Sequence, residues 1–147
     1  ALYQQALQRF QEAGDQGSMM RTFNALSVIE QNAGRLEEAR AWIEKSRQLA
    51  VELKDLPSLG AAFQNIGIVC QREGEAARAQ GDEPAARLKF QAALRSVEES
   101  LRIKQALGNK PSAANAFGQI AIIHLRLGDR QGGRRRGHRA DLQGAAL

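Results

Sequence analysis

Aromatic residues make up only 5% of the chain, and there are three prolines, Pro57, Pro84 and Pro111, and one cysteine, Cys70. A single cysteine excludes an internal disulfide and a cysteine metal cluster, and it fits a reducing, cytoplasmic setting. No run of 18 apolar residues occurs, so no membrane-spanning helix and no membrane partner are expected. No basic start followed by an apolar stretch marks a signal peptide. The chain opens in mid-helix pattern without a Met, which reads as a piece of something larger. No window alternates apolar and polar residues over the length of a strand. A glycine-rich phosphate loop, a nucleophile motif and any convergence of titratable groups are likewise missing. The expectation is a non-enzyme with no cofactor and no metal.

Hydrophobic residues nevertheless reach 43%, enough for a sizeable core. They are mostly Ala, Leu and Ile, and with few helix breakers this favours closely packed helices. The predicted fold class is all-α. The net charge is +5, yet it is localised. Arg130, Arg134, Arg135, Arg136 and Arg139 against Asp141 place four of those five charges in the last 18 residues. The basic character therefore belongs to the tail.

Sliding the chain on itself reveals an internal repeat. Residues 18–34 fall on 58–74 at a spacing of 40, pairing Phe23 with Phe63, Asn24 with Gln64, Leu26 with Ile66, Val28 with Ile68, Ile29 with Val69 and Gly34 with Gly74. A third copy follows 54 residues on, with Phe117, Ile120, Ile122, Ile123 and Gly128 in the same places. Apolar positions such as Phe63, Ile66 and Cys70 share a helix face. The glycine that closes each copy suits a helix stop needing positive φ. A second helix over 37–53 should bury Ala39, Ile43, Ser46, Leu49 and Leu53.

The step of 54 is explained if each helix of the middle pair gained seven residues, about two turns. Aligning Gly81 with Gly34 matches Ala86, Phe90 and Ala93 to Ala39, Ile43 and Ser46. From the other end Val97, Ser100, Ile103 and Leu107 match Ile43, Ser46, Leu49 and Leu53. The hairpin should be about 10 Å longer, with its tip at 80–84 projecting. The expected organisation is one domain over 1–129: a second helix of a truncated repeat at 1–13 (apolar side Tyr3, Ala6 or Leu7, and Phe10), a first repeat at 18–55, an extended repeat at 58–108 and a first helix at 112–128. The tail at 130–147 carries Gly132, Gly133 and Gly137 where core residues belong. Each internal glycine costs about 1 kcal/mol in a helix, so a frayed or irregular segment is expected there.

Phe63, Asn65-Ile66-Gly67, Cys70 and Gly74 in one helix, with Ala86, Phe90 and Ala93 in the next, resemble the tetratricopeptide repeat. The 40-residue period and the Leu-Gly-Asn link at 107–109 are similar to the longer, kinesin-light-chain-like repeats. Ser27 and Glu30 in the first copy, and Ala121 and His124 in the third, depart from the family pattern. The resemblance implies a right-handed superhelical solenoid of antiparallel helix pairs, with the first helices lining a concave groove. Carried over by position, that groove would hold Arg21, Asn24, Val28, Gln31 and Asn32, then Ala61, Gln64, Ile68, Gln71 and Arg72, then Asn115, Gly118, Ile122, Leu125 and Arg126. Its amides suit a peptide backbone, its arginines suit carboxylates, and its aliphatic residues form a floor.

The resemblance thus implies a protein-protein interaction scaffold taking a peptide or partner helix. The alternatives are a regulatory or sensory segment of a larger regulator and a self-associating module, the latter through exposed repeat ends such as Leu7 and Phe10. Nucleic acid is the lesser expectation, because the Arg/Gly segment at 132–139 has no interleaved aromatic. His124 and Cys70 read as packed residues and His138 as a tail residue without a partner. Trp42 is expected between helix pairs, and Glu98 is expected to pair with Arg102 at helical spacing.

Overall fold

The computed structural model describes residues 2–128, so the expectations for the Arg/Gly tail and His138 lie outside the described residues. The described chain contains six helices: α1 Leu2–Glu12, α2 Gln16–Asn32, α3 Leu36–Glu52, α4 Leu56–Ala79, α5 Glu83–Ala106 and α6 Lys110–Arg126. Their starts recur with the repeat. Asp15, Asp55 and Asn109 each accept a hydrogen bond from the backbone N–H three residues on, at Ser18, Ser58 and Ser112. Each cap satisfies a donor that the first helical turn leaves without a partner. Pro57, Pro84 and Pro111 fall in the first turns of α4, α5 and α6, where a missing N–H costs little.

Helices α2 and α3 have 17 residues each and α4 and α5 have 24, so each arm of the middle hairpin is longer by the expected seven. The helix stop moves accordingly. Gly34 and Gly81 both adopt positive φ, 78° and 79°. Gly74 does not stop a helix: it is buried inside α4. A Cβ on Gly74 would lie 3.0 Å from the Phe90 ring, and one on Gly67 only 2.4 Å from Val97 Cγ2. One on Gly60 would meet Ile103 Cγ2 at 3.3 Å and Lys104 Cγ at 3.8 Å. Three glycines seven residues apart thus form notches on α4. They receive Phe90, Val97 and the Ile103–Lys104 step of the antiparallel α5, as heptad-spaced knobs enter holes.

The second helices bury a stripe slightly different from the one expected. In α3 it is Ala39, Ile43, Ser46 and Ala50, whereas Leu49 is half-buried and Leu53 is 40% exposed. In α5 it runs Ala86, Phe90, Ala93, Val97, Ser100, Lys104, leaving Ile103 half-buried and Leu107 43% exposed. Steps of four, three and four hold one line on a 3.6-residue helix, while the larger leucines drift to its rim. Both stripes carry the same tie. Ser46 Oγ donates to the Met20 carbonyl at 3.3 Å, and Ser100 Oγ to that of Gly60 at 2.7 Å.

Every substantial helix–helix contact joins neighbours in sequence, which is the packing of a helical-repeat solenoid. One core cluster runs from Ile43 through α4 and α5 to Ala116, Ile123 and Leu127. The equivalent phenylalanines meet different surroundings: Phe23 is buried, Phe63 half-buried and Phe117 54% exposed. Helices α3 and α5 follow the first two, and among the described residues none follows α6. The extra turns of the long hairpin reach the far end of α6 instead. Arg78 donates to the Arg126 carbonyl and Arg87 to the Leu127 carbonyl, while Glu75 takes Arg126. Two guanidiniums thereby satisfy carbonyls that a helix C-terminus leaves open, and complement its negative dipole end.

Candidate functional site

The first helices of successive repeats are joined directly by polar bonds. Asn65 Nδ2 donates to Asn24 Oδ1 at 2.7 Å, and Arg72 Nη1 to the Gln31 carbonyl at 2.8 Å, tying α4 to α2. Arg126 meets Glu75 at 3.3 Å, tying α6 to α4. The candidate residues fall on these helices at three equivalent levels. Val28, Ile68 and Ile122 form one level; Val28 is 39% and Ile122 45% exposed, with Ile68 half-buried. Asn24, Gln64 and Gly118 form the level before it, and Gln71 and Leu125 part of the level after. Arg21, Asn32, Ala61, Arg72, Asn115, Gly118, Leu125 and Arg126 are exposed.

Several of the expected groove amides are already engaged. Gln31 is 5% exposed, and its Nε2 donates to Ser27 Oγ at 3.2 Å. Ser27 Oγ in turn donates to the Ala39 carbonyl at 3.0 Å. Gln31 is therefore an interior residue of the α2–α3 hairpin, and its place in a groove is corrected. The reason is that Ser27 offers a buried oxygen one turn back, which the glutamine amide satisfies. Gln71 Nε2 reaches Glu75 Oε1 at 3.5 Å, and Arg21 donates to Ser18 Oγ at 3.0 Å. The arginines on this face thus have protein partners, with exposed donors left over.

Lys104 is missing from the sequence-derived set. It is only 6% exposed, and its ammonium donates to Gln64 Oε1. Burial pulls its pKa below the usual lysine value. One signal could have found it: Lys104 stands at the position of Ala50 in the preceding repeat, on a stripe otherwise made of small and aliphatic residues.

The other singled-out residues take structural places. Trp42 stacks on Phe23 of its own hairpin with ring centroids 5.7 Å apart, rather than between pairs, and Lys45 Nζ lies 4.8 Å from the Trp42 centroid. Cys70 is buried and receives Arg40 Nη2 at 3.1 Å. Glu73 holds Arg40 with one oxygen and Lys89, at 3.4 Å, with the other, joining α3, α4 and α5. Burial opposes the Arg40 charge, but the bonds to Glu73 and Cys70 outweigh it and raise its pKa. His124 is half-buried. Arg102 pairs with Glu99 at 2.9 Å, i to i+3, in place of Glu98. Among the described residues no cluster of His, Cys, Asp or Glu is placed to hold a metal ion, and no helix is long and apolar enough to cross a membrane.

The family model described as the tetratricopeptide repeat matches residues 18–81, that is, α2, α3 and α4 with the turn beyond. No curated protein matches the chain significantly.

Proposed function

Residues 18–81 are tetratricopeptide repeats, units that generally mediate protein–protein interaction, and from that premise we propose that this chain is a scaffold whose first helices receive a peptide or partner helix. The observation that carries the reading is the outward row of Val28, Ile68 and Ile122. These residues stand at one repeat level on α2, α4 and α6, while the second-helix faces behind them are buried. A solenoid presents such equivalent positions as an extended surface, and aliphatic residues on it are available to an apolar ligand side chain.

The test is replacement of Val28, Ile68 and Ile122 together by Asp. Helical circular dichroism should stay near that of the parent while peptide or partner binding is lost. Retained binding with retained helicity would refute the proposal. The aliphatic row is a better target than Asn24, Gln64 and Arg72, because those three bond to Asn65, Lys104 and Gln31 and hold the stack together.

A second reading, self-association, rests on Phe117. It is 54% exposed beside a cleft of about 390 Å³ lined by Gln105, Asn109, Ala113 and Ala114. A helix docking there would cover Phe117 as α3 covers Phe23. Light-scattering mass across a concentration series, with Phe117→Asp as the control, distinguishes the two.

A further inference from the structure

The row of hairpins is open at both ends, and the two ends are unlike. By the spacing of 40, α1 is a second helix: Leu2, Gln5, Ala6, Arg9 and Phe10 stand at the places of Trp42, Lys45, Ser46, Leu49 and Ala50 in α3. In α3 this side meets the first helix of its own pair. Trp42 stacks on Phe23, Lys45 Nζ lies 5.8 Å from the Phe23 centroid, and Ser46 donates to the Met20 carbonyl. In α1 the same side lines a cleft of about 430 Å³. Leu2 is 81% exposed, and no residue of α1 is buried. Among the described residues no first helix covers this side.

Helix α6 is the converse, a first helix with no second helix on it among the described residues. Its Ala113, Ala114 and Phe117 stand at the places of Met19, Met20 and Phe23, and they line the cleft of about 390 Å³. The middle repeat shows what belongs there. Gly60 holds the place of Ala114, and a Cβ on it would meet Ile103 and Lys104 of α5, whose counterparts in α1 are Arg9 and Phe10. Size is complementary as well. At this step of each complete hairpin a large residue is set against a small one, Met20 with Ala50 and Lys104 with Gly60; Phe10 with Ala114 continues the rule. So is charge. Glu52 lines a cleft with Met19, so its counterpart Glu12 comes over Ala113, one turn from Lys110 at the start of α6.

We propose that the α6 face receives α1 of a second copy of this chain, so that copies join head to tail. This deepens the self-association reading at Phe117 and rests on it. Leu2 of the incoming copy lies on Phe117 as Trp42 lies on Phe23, Ala6 packs on Ala114, and Phe10 enters the cleft. Helix α1 then sits between the neighbour's α6 and its own α2, as α3 sits between α2 and α4. The solenoid continues across the joint, each helix touching only its neighbours. The two faces differ, so the contact is heterologous, and every added copy leaves one of each face open. Association therefore extends into rows of copies and does not stop at a symmetric pair.

The experiment is sedimentation velocity on the full chain over a concentration series, with Leu2→Asp, Phe117→Asp and an equimolar mixture of the two. Both residues are exposed, so helical circular dichroism of the variants should match the parent. The parent's mass should grow with concentration past that of a dimer, and each variant alone should stay monomeric. The mixture should form a one-to-one dimer and stop there, because one intact α1 face and one intact α6 face remain. A parent that is monomeric at every concentration overturns the proposal together with the self-association reading, and leaves the α6 face to another occupant. A parent that stops at a dimer, with Leu2→Asp still dimeric, shows α6 meeting α6; self-association then stands and the head-to-tail assignment falls. Folded variants that stay monomeric when mixed overturn the assignment as well.

Discussion

The hairpins α2–α3 and α4–α5 are two executions of one plan, and they differ where length and burial demand it. Both first helices start from Asp with Ser three residues on, both turns pass through a positive-φ glycine, and both second helices are tied back by a buried serine. The short hairpin closes its interior with polar bonds, Gln31 to Ser27 to the Ala39 carbonyl. At the place of Ser27 the long hairpin has Gly67, into which Val97 packs. Its deepest large residue is Phe90, at the place of Ile43, and both are fully buried. Adding about two turns per arm thus exchanged a polar seam for a notch-and-knob interface. Glycine at Gly60, Gly67 and Gly74 permits the close approach of α5 side chains to the α4 backbone.

The sharpest way to break the comparison is at its centre. Phe90→Ala should destabilise the chain by about 3–5 kcal/mol in urea unfolding, because the fully buried ring packs against the notch at Gly74 and its removal leaves a cavity. Ile43→Ala, in the hairpin with polar support, should cost less, toward the lower part of the range of about 2–5 kcal/mol. Equal losses would mean that the notch carries no special weight. Next in size is Gly67→Ala, expected to cost about 1–3 kcal/mol by overpacking against Val97. Gly118→Ala, where a Cβ meets nothing within 4 Å, should instead stabilise by up to about 1 kcal/mol through helix propensity. Thermal melts of the two variants should move in opposite directions.

Smaller effects concern the ends of the second helices. After α5 the chain turns at Gly108 with φ 71°, but after α3 it turns at Lys54 with φ 55°, the one non-glycine residue in that region among those described. Lys54→Gly should therefore raise stability by up to about 1 kcal/mol, since a side chain is disfavoured in left-handed backbone. Gly108→Lys should lower it, with denaturant midpoints as the readout. The least effect is the pH dependence of Lys104. Its folded pKa lies below the ordinary value of 10.5, so the unfolded chain binds that proton more tightly. The penalty is complete below the folded value and fades as pH rises through it toward 10.5. Relative to Lys104→Met, the parent should thus gain stability on the alkaline side, and a difference independent of pH would contradict a buried charge.

Much of this architecture could be read without coordinates. The equivalence of Phe23 and Phe63, the glycines and the misfit between steps of 40 and 54 implied paired helices and seven extra residues in each arm. Local pattern suffices there because helical periodicity and turn chemistry are properties of neighbouring residues. Gly74 misled for the same reason. A glycine at a repeat position reads as a stop, and only the Phe90 ring across the interface shows that it is a notch. Leu49 and Leu53 misled by size, since a leucine at a plausible spacing outweighs Ala50 in a pattern, although the alanine is the one that fits. The binding face was legible as a set of repeat levels. Which of its groups are free was not, because Gln31, Gln64 and Arg72 are taken by partners 4, 40 and 41 residues away.

Periodicity, caps and glycine placement along the chain decided that this protein is a row of helical hairpins with one lengthened pair. Tertiary packing decided which polar groups are used up in holding the row together. Helix formation is settled within a few residues of each position. Hydrogen-bond satisfaction is a count over everything that shares a buried space, and that company is assembled only when the hairpins stack.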